Sequence, residues 1–222
     1  MLTDLFPSIN LEDFWGATYE TFYMTIIALI GTFIFGILLG LLLYLTTKNG
    51  IWQNKFVHFI VAAFVNIFRA IPFIILILLL FPFTNFLMGT IRGPNGALPA
   101  LIIGAAPFYG RLVEIALREV DKGVVEAAKA MGAKTSTIIF KVLLPESMPA
   151  LISGLTVTAI ALIGYTAMAG AIGAGGLGSY AYYSGFQRRD FDIVLICSII
   201  IVIIVFIFQF IGDYIANKLD KR

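Results

Sequence analysis

The side chains able to do covalent chemistry are few here, and their spacing speaks against it. One histidine, His58, and one cysteine, Cys197, are too few for a zinc site. No acidic pair lies within an apolar run to relay protons. Gly173-Ala-Gly-Gly-Leu-Gly178 matches the dinucleotide fingerprint by letter. However, no strand precedes it and no acidic ribose partner follows at the required distance. Gly132-Ala-Lys134-Thr135 echoes the end of a phosphate-binding loop, but an extra alanine separates the glycine from the lysine and the earlier glycine is missing. This chain therefore carries no ATP site, and without an evident base and orienter its serines and histidine support no hydrolase.

What remains is a stretch suited to mechanical contact. Glu126-Ala127-Ala128-Lys129-Ala130-Met131-Gly132 is followed, thirteen residues on, by Pro145. Two alanines beside a glutamate favour a helix, Gly132 can end it in the left-handed conformation, and Leu144-Pro145 marks a second stop. The expected order is helix, turn, helix, exit. Composition alone would equally suit an ordinary solvated loop helix.

The elements that must position this stretch are membrane spans. The chain has 222 residues, of which 60% are hydrophobic and 13% charged, too apolar for a soluble core with a polar surface. About 20 apolar residues cross a bilayer, so roughly five or six spans fit and no separate soluble domain remains. The net charge of +2 implies no nucleic-acid partner, because the basic residues lie beside the spans. Cys197, inside an apolar run, reads as a small packing residue. The acidic start, with Asp4, Glu12 and Asp13, is the opposite of a secretory signal.

In chain order, residues 1–16 read as an outward-facing interfacial lead-in, with Asn10 capping a short helix beside Phe14, Trp15 and Tyr19. The first span falls in residues 21–47, where Gly36 and Gly40 form a small-residue face for helix packing or, less favoured, a dimer contact. A second apolar segment, residues 56–80, is interrupted by Asn66, Arg69 and Pro72; the proline bends it and frees carbonyls near the arginine. Two accounts stay open there, a structural kink or a gate on a transport path. Residues 92–96 form a turn-rich loop, and a third span starts near Ala97 and leaves the membrane at Arg111, Glu114, Arg118 and Glu119, paired at helical spacings. Residues 149–168 form the fourth span, the glycine-dense residues 170–178 break it, and residues 193–211 form the last. With the loop around Glu126 in the cytoplasm, eleven basic residues lie inside and three outside, with Arg69 unassigned. That places the amino terminus outside and the carboxyl terminus inside.

The spacing of the organising stretch resembles the cytoplasmic signature of bacterial ABC importer permeases: Glu-Ala-Ala, three residues, Gly, nine residues, Ile, one residue, Leu-Pro. Seven positions align, with Val142 in place of the isoleucine. Arg69-Ala-Ile-Pro-Phe73, Ala106-Pro-Phe-Tyr-Gly-Arg-Leu-Val-Glu114, and Gly173 to Gly178 followed by Gly185-Phe-Gln-Arg188 resemble the methionine-uptake branch of that family. The resemblance implies an all-α membrane protein with five transmembrane helices per subunit, a type I importer permease core over residues 17–212 and a basic tail over residues 213–222. It implies a bacterial cell membrane location, a second copy of the chain, two ATPase subunits that carry the ATP and Mg, and a substrate-binding lipoprotein. No cofactor or metal is expected on this chain, and no catalysis.

The resemblance makes residues 126–132 a coupling helix. Glu126, Ala127, Ala128, Lys129, Met131, Gly132, Val142, Leu144 and Pro145 are its ATPase-coupling residues, with Met131 and Ala128 as knobs, Glu126 as a polar contact and Gly132 permitting the turn. Arg69, Pro72, Tyr165 and Met168 are candidates for a gate or pathway. The implied cargo is L- or D-methionine. Other amino acids or small organic ligands remain open as cargo. An ion-coupled secondary transporter is less favoured, since no internal repeat is evident.

Overall fold

The computed structural model describes residues 10–48 and 50–220, and these form a helical protein. Most of the lead-in (residues 1–9), Asn49, and Lys221 and Arg222 of the tail lie outside the described residues. Among the described residues, four long helices are apolar enough to cross a membrane, and a bent pair makes a fifth candidate span.

The first helix, α1 (Leu11–Thr46), runs for 36 residues, about 54 Å, and so exceeds a bilayer core of about 30 Å. Asn10 caps it as expected, its side-chain oxygen accepting from the Glu12 N–H at 3.1 Å. Residues 11–16 are thus the first turns of the same helix that carries residues 21–46, because nothing between Asp13 and Thr21 interrupts it. Thr18, Thr21 and Thr25 are buried, and their hydroxyls donate to the carbonyls of Phe14, Ala17 and Thr21 one turn back. Each of these three hydroxyls thereby has an acceptor within its own helix.

Next come α2 (Lys55–Ala70), α3 (Phe73–Leu79), α4 (Phe81–Met88) and α5 (Gly93–Arg118). Between α2 and α3 the axis turns by 110°. Pro72 causes it: the ring removes the donor that would continue the helix and disfavours helical geometry at Ile71, whose φ and ψ are extended. The expected bend is therefore a complete break. The second span was expected to end near Phe81, but α4 follows there, and the loop expected at residues 92–96 is mostly the start of α5.

α1 packs along α5 as the most extensive helix pair. A Cβ on Gly36 would come within 2.5 Å of Tyr109, and one on Gly40 would collide with Val113. The small-residue face is thus used inside the chain. Tyr109 is fully buried and donates to the Leu151 carbonyl at 3.2 Å, tying α5 to the next long helix.

After α5 lie α6 (Lys122–Ala130), α7 (Thr135–Ile138), a widened turn (Ile139–Leu143) and α8 (Leu144–Ala169). The glycine-rich segment breaks α8 as expected, with Gly173, Gly175 and Gly176 at φ of +100°, +83° and +77°. A short helical stretch follows, α9 (Gly176–Ser179) continuing through a widened helix (Tyr180–Phe186), before α10 (Phe191–Leu219). Along α10, Leu195, Ile199, Val202, Phe206 and Phe210 are exposed, an apolar surface suited to lipid.

Candidate functional site

α6 begins at Asp121, whose carboxylate accepts from the Gly123 N–H at 2.6 Å. Val125 and Ala128 turn inward and join a core with Val113, Leu117, Ile138 and Leu143. The opposite face, with Val124, Glu126, Ala127 and Lys129, is exposed. Met131 stands 82% exposed just beyond the last turn, an uncommon position for a thioether unless a partner covers it.

The end of α6 is built by the signature residues themselves. The Ala133 N–H donates to the Ala128 carbonyl at 3.0 Å, and the Gly132 N–H donates to the Lys129 carbonyl at 2.9 Å. Gly132 has φ +79°. This is a Schellman ending, with glycine in the left-handed position and Ala133 packed into the same core as Ala128. A Cβ on Gly132 would meet nothing within 4 Å, so its requirement is backbone conformation and not space.

Two expected roles change. Ala128 is only 6% exposed and cannot be a knob on the outer face; it faces the core, where a larger side chain would lift α6 away. Pro145 does not end a helix but lies in the first turn of α8. The widened turn before it explains why: Leu144 bonds back five residues to Ile139, which loosens the coil where the proline has no donor to offer. Val142 and Leu144 are half-buried against the core that holds α6, so an aliphatic exchange at 142 keeps the contact. Thus α6 is joined through one apolar block to the ends of α5 and α8.

Beside this block Glu114 is only 1% exposed, held between Arg111 at 2.5 Å and Arg118 at 2.6 Å. The helical spacing announces these pairs, but not the burial of the carboxylate they share. Arg118 also reaches Thr47 at the end of α1, at 3.5 Å.

The proposed pathway residues divide. Arg69 and Tyr165 line one hollow of about 250 Å³ together with Phe73, Gly104 and Phe108, and Pro72 makes the break beside it. Met168, 43% exposed, does not line that hollow. Sequence reasoning missed Phe73 and Phe108 as partners of Arg69. It also missed Glu20, whose carboxylate accepts from the Gly176 N–H at 2.7 Å while Thr21 accepts from Leu177 at 2.8 Å. These bonds anchor the glycine-rich stretch on α1 across 156 residues of chain, a separation no local pattern spans.

Comparison with known proteins places this geometry in a family. The description "Binding-protein-dependent transport system inner membrane component" matches residues 36–222. The methionine import system permease protein MetP of Bacillus subtilis is 66% identical over 222 residues, all of both chains. A probable D-methionine transport system permease protein of Pasteurella multocida is 45% identical, covering 93% of this chain and 95% of its own. Among solved structures, an inward-facing MetNI methionine ABC transporter superposes with a TM-score of 0.93 at 41% identity, over 95% of this chain and 98% of that one. The helical type I importer architecture expected from the sequence is thereby found. With the matched region covering most of its length, the chain belongs to the family of binding-protein-dependent transport system inner membrane components.

Proposed function

We propose that this chain is the membrane-spanning subunit of an ATP-driven importer of methionine, in the L form, the D form or both. Two copies would form the pathway, two ATPase subunits holding ATP and Mg would dock from the cytoplasm, and a lipoprotein would deliver the amino acid outside. The distribution of basic residues supports an inward-facing α6 and carboxyl terminus and an outward amino terminus. The chain's similarity to a methionine permease and a probable D-methionine permease supports methionine as cargo.

The observation that carries the coupling role is α6 itself: a short helix with an exposed face and a projecting Met131, anchored from behind by Val125 and Ala128. Displacement of that face by a closing ATPase would pass through the packed apolar block into α5 and α8 without being absorbed by a flexible linker. Glu114, between its arginines, would resist splaying of α5 where it meets that block.

The test is uptake of labelled methionine by a strain lacking its own methionine importers, supplied with this permease, its ATPase and its lipoprotein. Uptake requires ATP and all three proteins, and unlabelled methionine competes far better than leucine or glutamine. Entry of another amino acid in place of methionine would overturn the cargo assignment.

A further inference from the structure

Arg69 lies fourteen residues into α2 from Lys55, about 21 Å along the axis. Phe108, beside it, lies fifteen residues into α5 from Gly93, about 22 Å from the opposite end. Within a hydrocarbon core of about 30 Å, both positions are at membrane depth. A cation there is costly unless it meets a partner or a cavity. Among the described residues no carboxylate pairs with Arg69. Its guanidinium lies 6.0 Å from the centre of the Phe108 ring, at the edge of cation–π range.

The hollow beside it draws walls from four helices. Phe73 and Tyr165 stack at 4.4 Å with their planes 3° apart, forming a flat apolar wall. Gly104 leaves room beside Phe73, where a Cβ would approach within 3.1 Å. Phe68 also lines the hollow, and Pro72 has no N–H to return to its carbonyl. A cation and an aromatic wall match two parts of an apolar α-amino acid, its carboxylate and its side chain. About 250 Å³ is smaller than the roughly 300–1,000 Å³ of drug-sized sites, as a small metabolite requires.

We propose that this hollow is a transit site for an apolar amino acid, with Arg69 receiving the α-carboxylate and Phe73, Tyr165 and Phe108 receiving the side chain. This rests on the importer reading above. The guanidinium fork suits a carboxylate bidentately, and the Phe108 ring keeps the arginine partly satisfied when no cargo is present. Such a site holds its ligand weakly enough to release it.

The test uses the complete transporter with its ATPase and lipoprotein, in a Cys197→Ala background, with Ile71→Cys, which lines the hollow without a contact to the cargo assigned to it, as a thiol reporter. Methionine slows alkylation of that thiol several-fold, and methioninol, with the same side chain and no carboxylate, does not. Arg69→Gln abolishes the protection and lowers uptake by roughly tenfold or more, as expected on losing a charge-assisted contact. Arg69→Lys, which keeps the charge without the fork, falls between, and the lipoprotein's affinity for methionine is unchanged throughout. Should Ile71→Cys not assemble, Phe68→Cys carries the reporter in the same hollow. Equal protection by methioninol, no protection by methionine, or full uptake by Arg69→Gln would overturn the proposal while leaving the importer reading intact. If the parent complex imports no methionine, the importer reading fails and the proposal falls with it.

Discussion

Gly132 joins the end of α6 to the rest of the chain through a backbone conformation that side chains resist. Gly132→Val forces a branched residue to φ +79° and costs on the order of 1–3 kcal/mol. Since the space around it is open, the loss follows conformation and not volume. Gly132→Asn, which tolerates the left-handed region, should therefore retain most uptake while Gly132→Val loses it. Uptake with ATP hydrolysis measured in parallel checks this; equal loss in both variants would show that size governs. Glu114 supports a second prediction at this scale. Glu114→Ala leaves two half-exposed arginines without their shared acceptor and costs roughly 1–3 kcal/mol, seen as a lower melting temperature of the purified complex. Gly132 was legible in the sequence because its turn is local. Ala128 was misread because alanine looks the same on either face of a short helix, and only the position of Leu117 and Ile138 decides which face is buried.

Helix existence was written plainly in the charge-free runs, whereas helix ends and breaks were not. Pro72 and Pro145 are the same residue with opposite outcomes: one breaks the axis by 110°, the other follows a widened turn that lets the helix pass. The difference lies in the preceding turn, which propensity does not encode. Nor does periodicity help where lipid and core are both apolar, so the buried face of α1 was visible only through its glycines. Those glycines allow a controlled comparison. Gly36→Leu drives a side chain into Tyr109 and should lower stability by about 1–3 kcal/mol or prevent accumulation in the membrane. Gly16→Leu, with nothing within 4 Å, should be tolerated. Membrane-fraction yield and melting temperature separate the two, and equal tolerance would argue against the α1–α5 packing.

For the whole molecule, the span count was readable from hydropathy, but the contacts that close the fold were not. Glu20 and Gly176 are far apart in sequence, as are Arg69, Phe108 and Tyr165, and only tertiary structure brings each set together. Orientation is tested in a Cys197→Ala background. Cysteines at the exposed positions Asn95 and Gln187 should react with an impermeant reagent from outside, and one at Ser136 should not. The claim that ATP-driven motion enters through α6 is tested most directly by a photo-activated cross-linker at Met131 in cells making the complete transporter. The account predicts an adduct with the ATPase from Met131, and lipid adducts alone from Phe206 on the exposed face of α10. An adduct between Met131 and the lipoprotein, or with lipid alone, would contradict it.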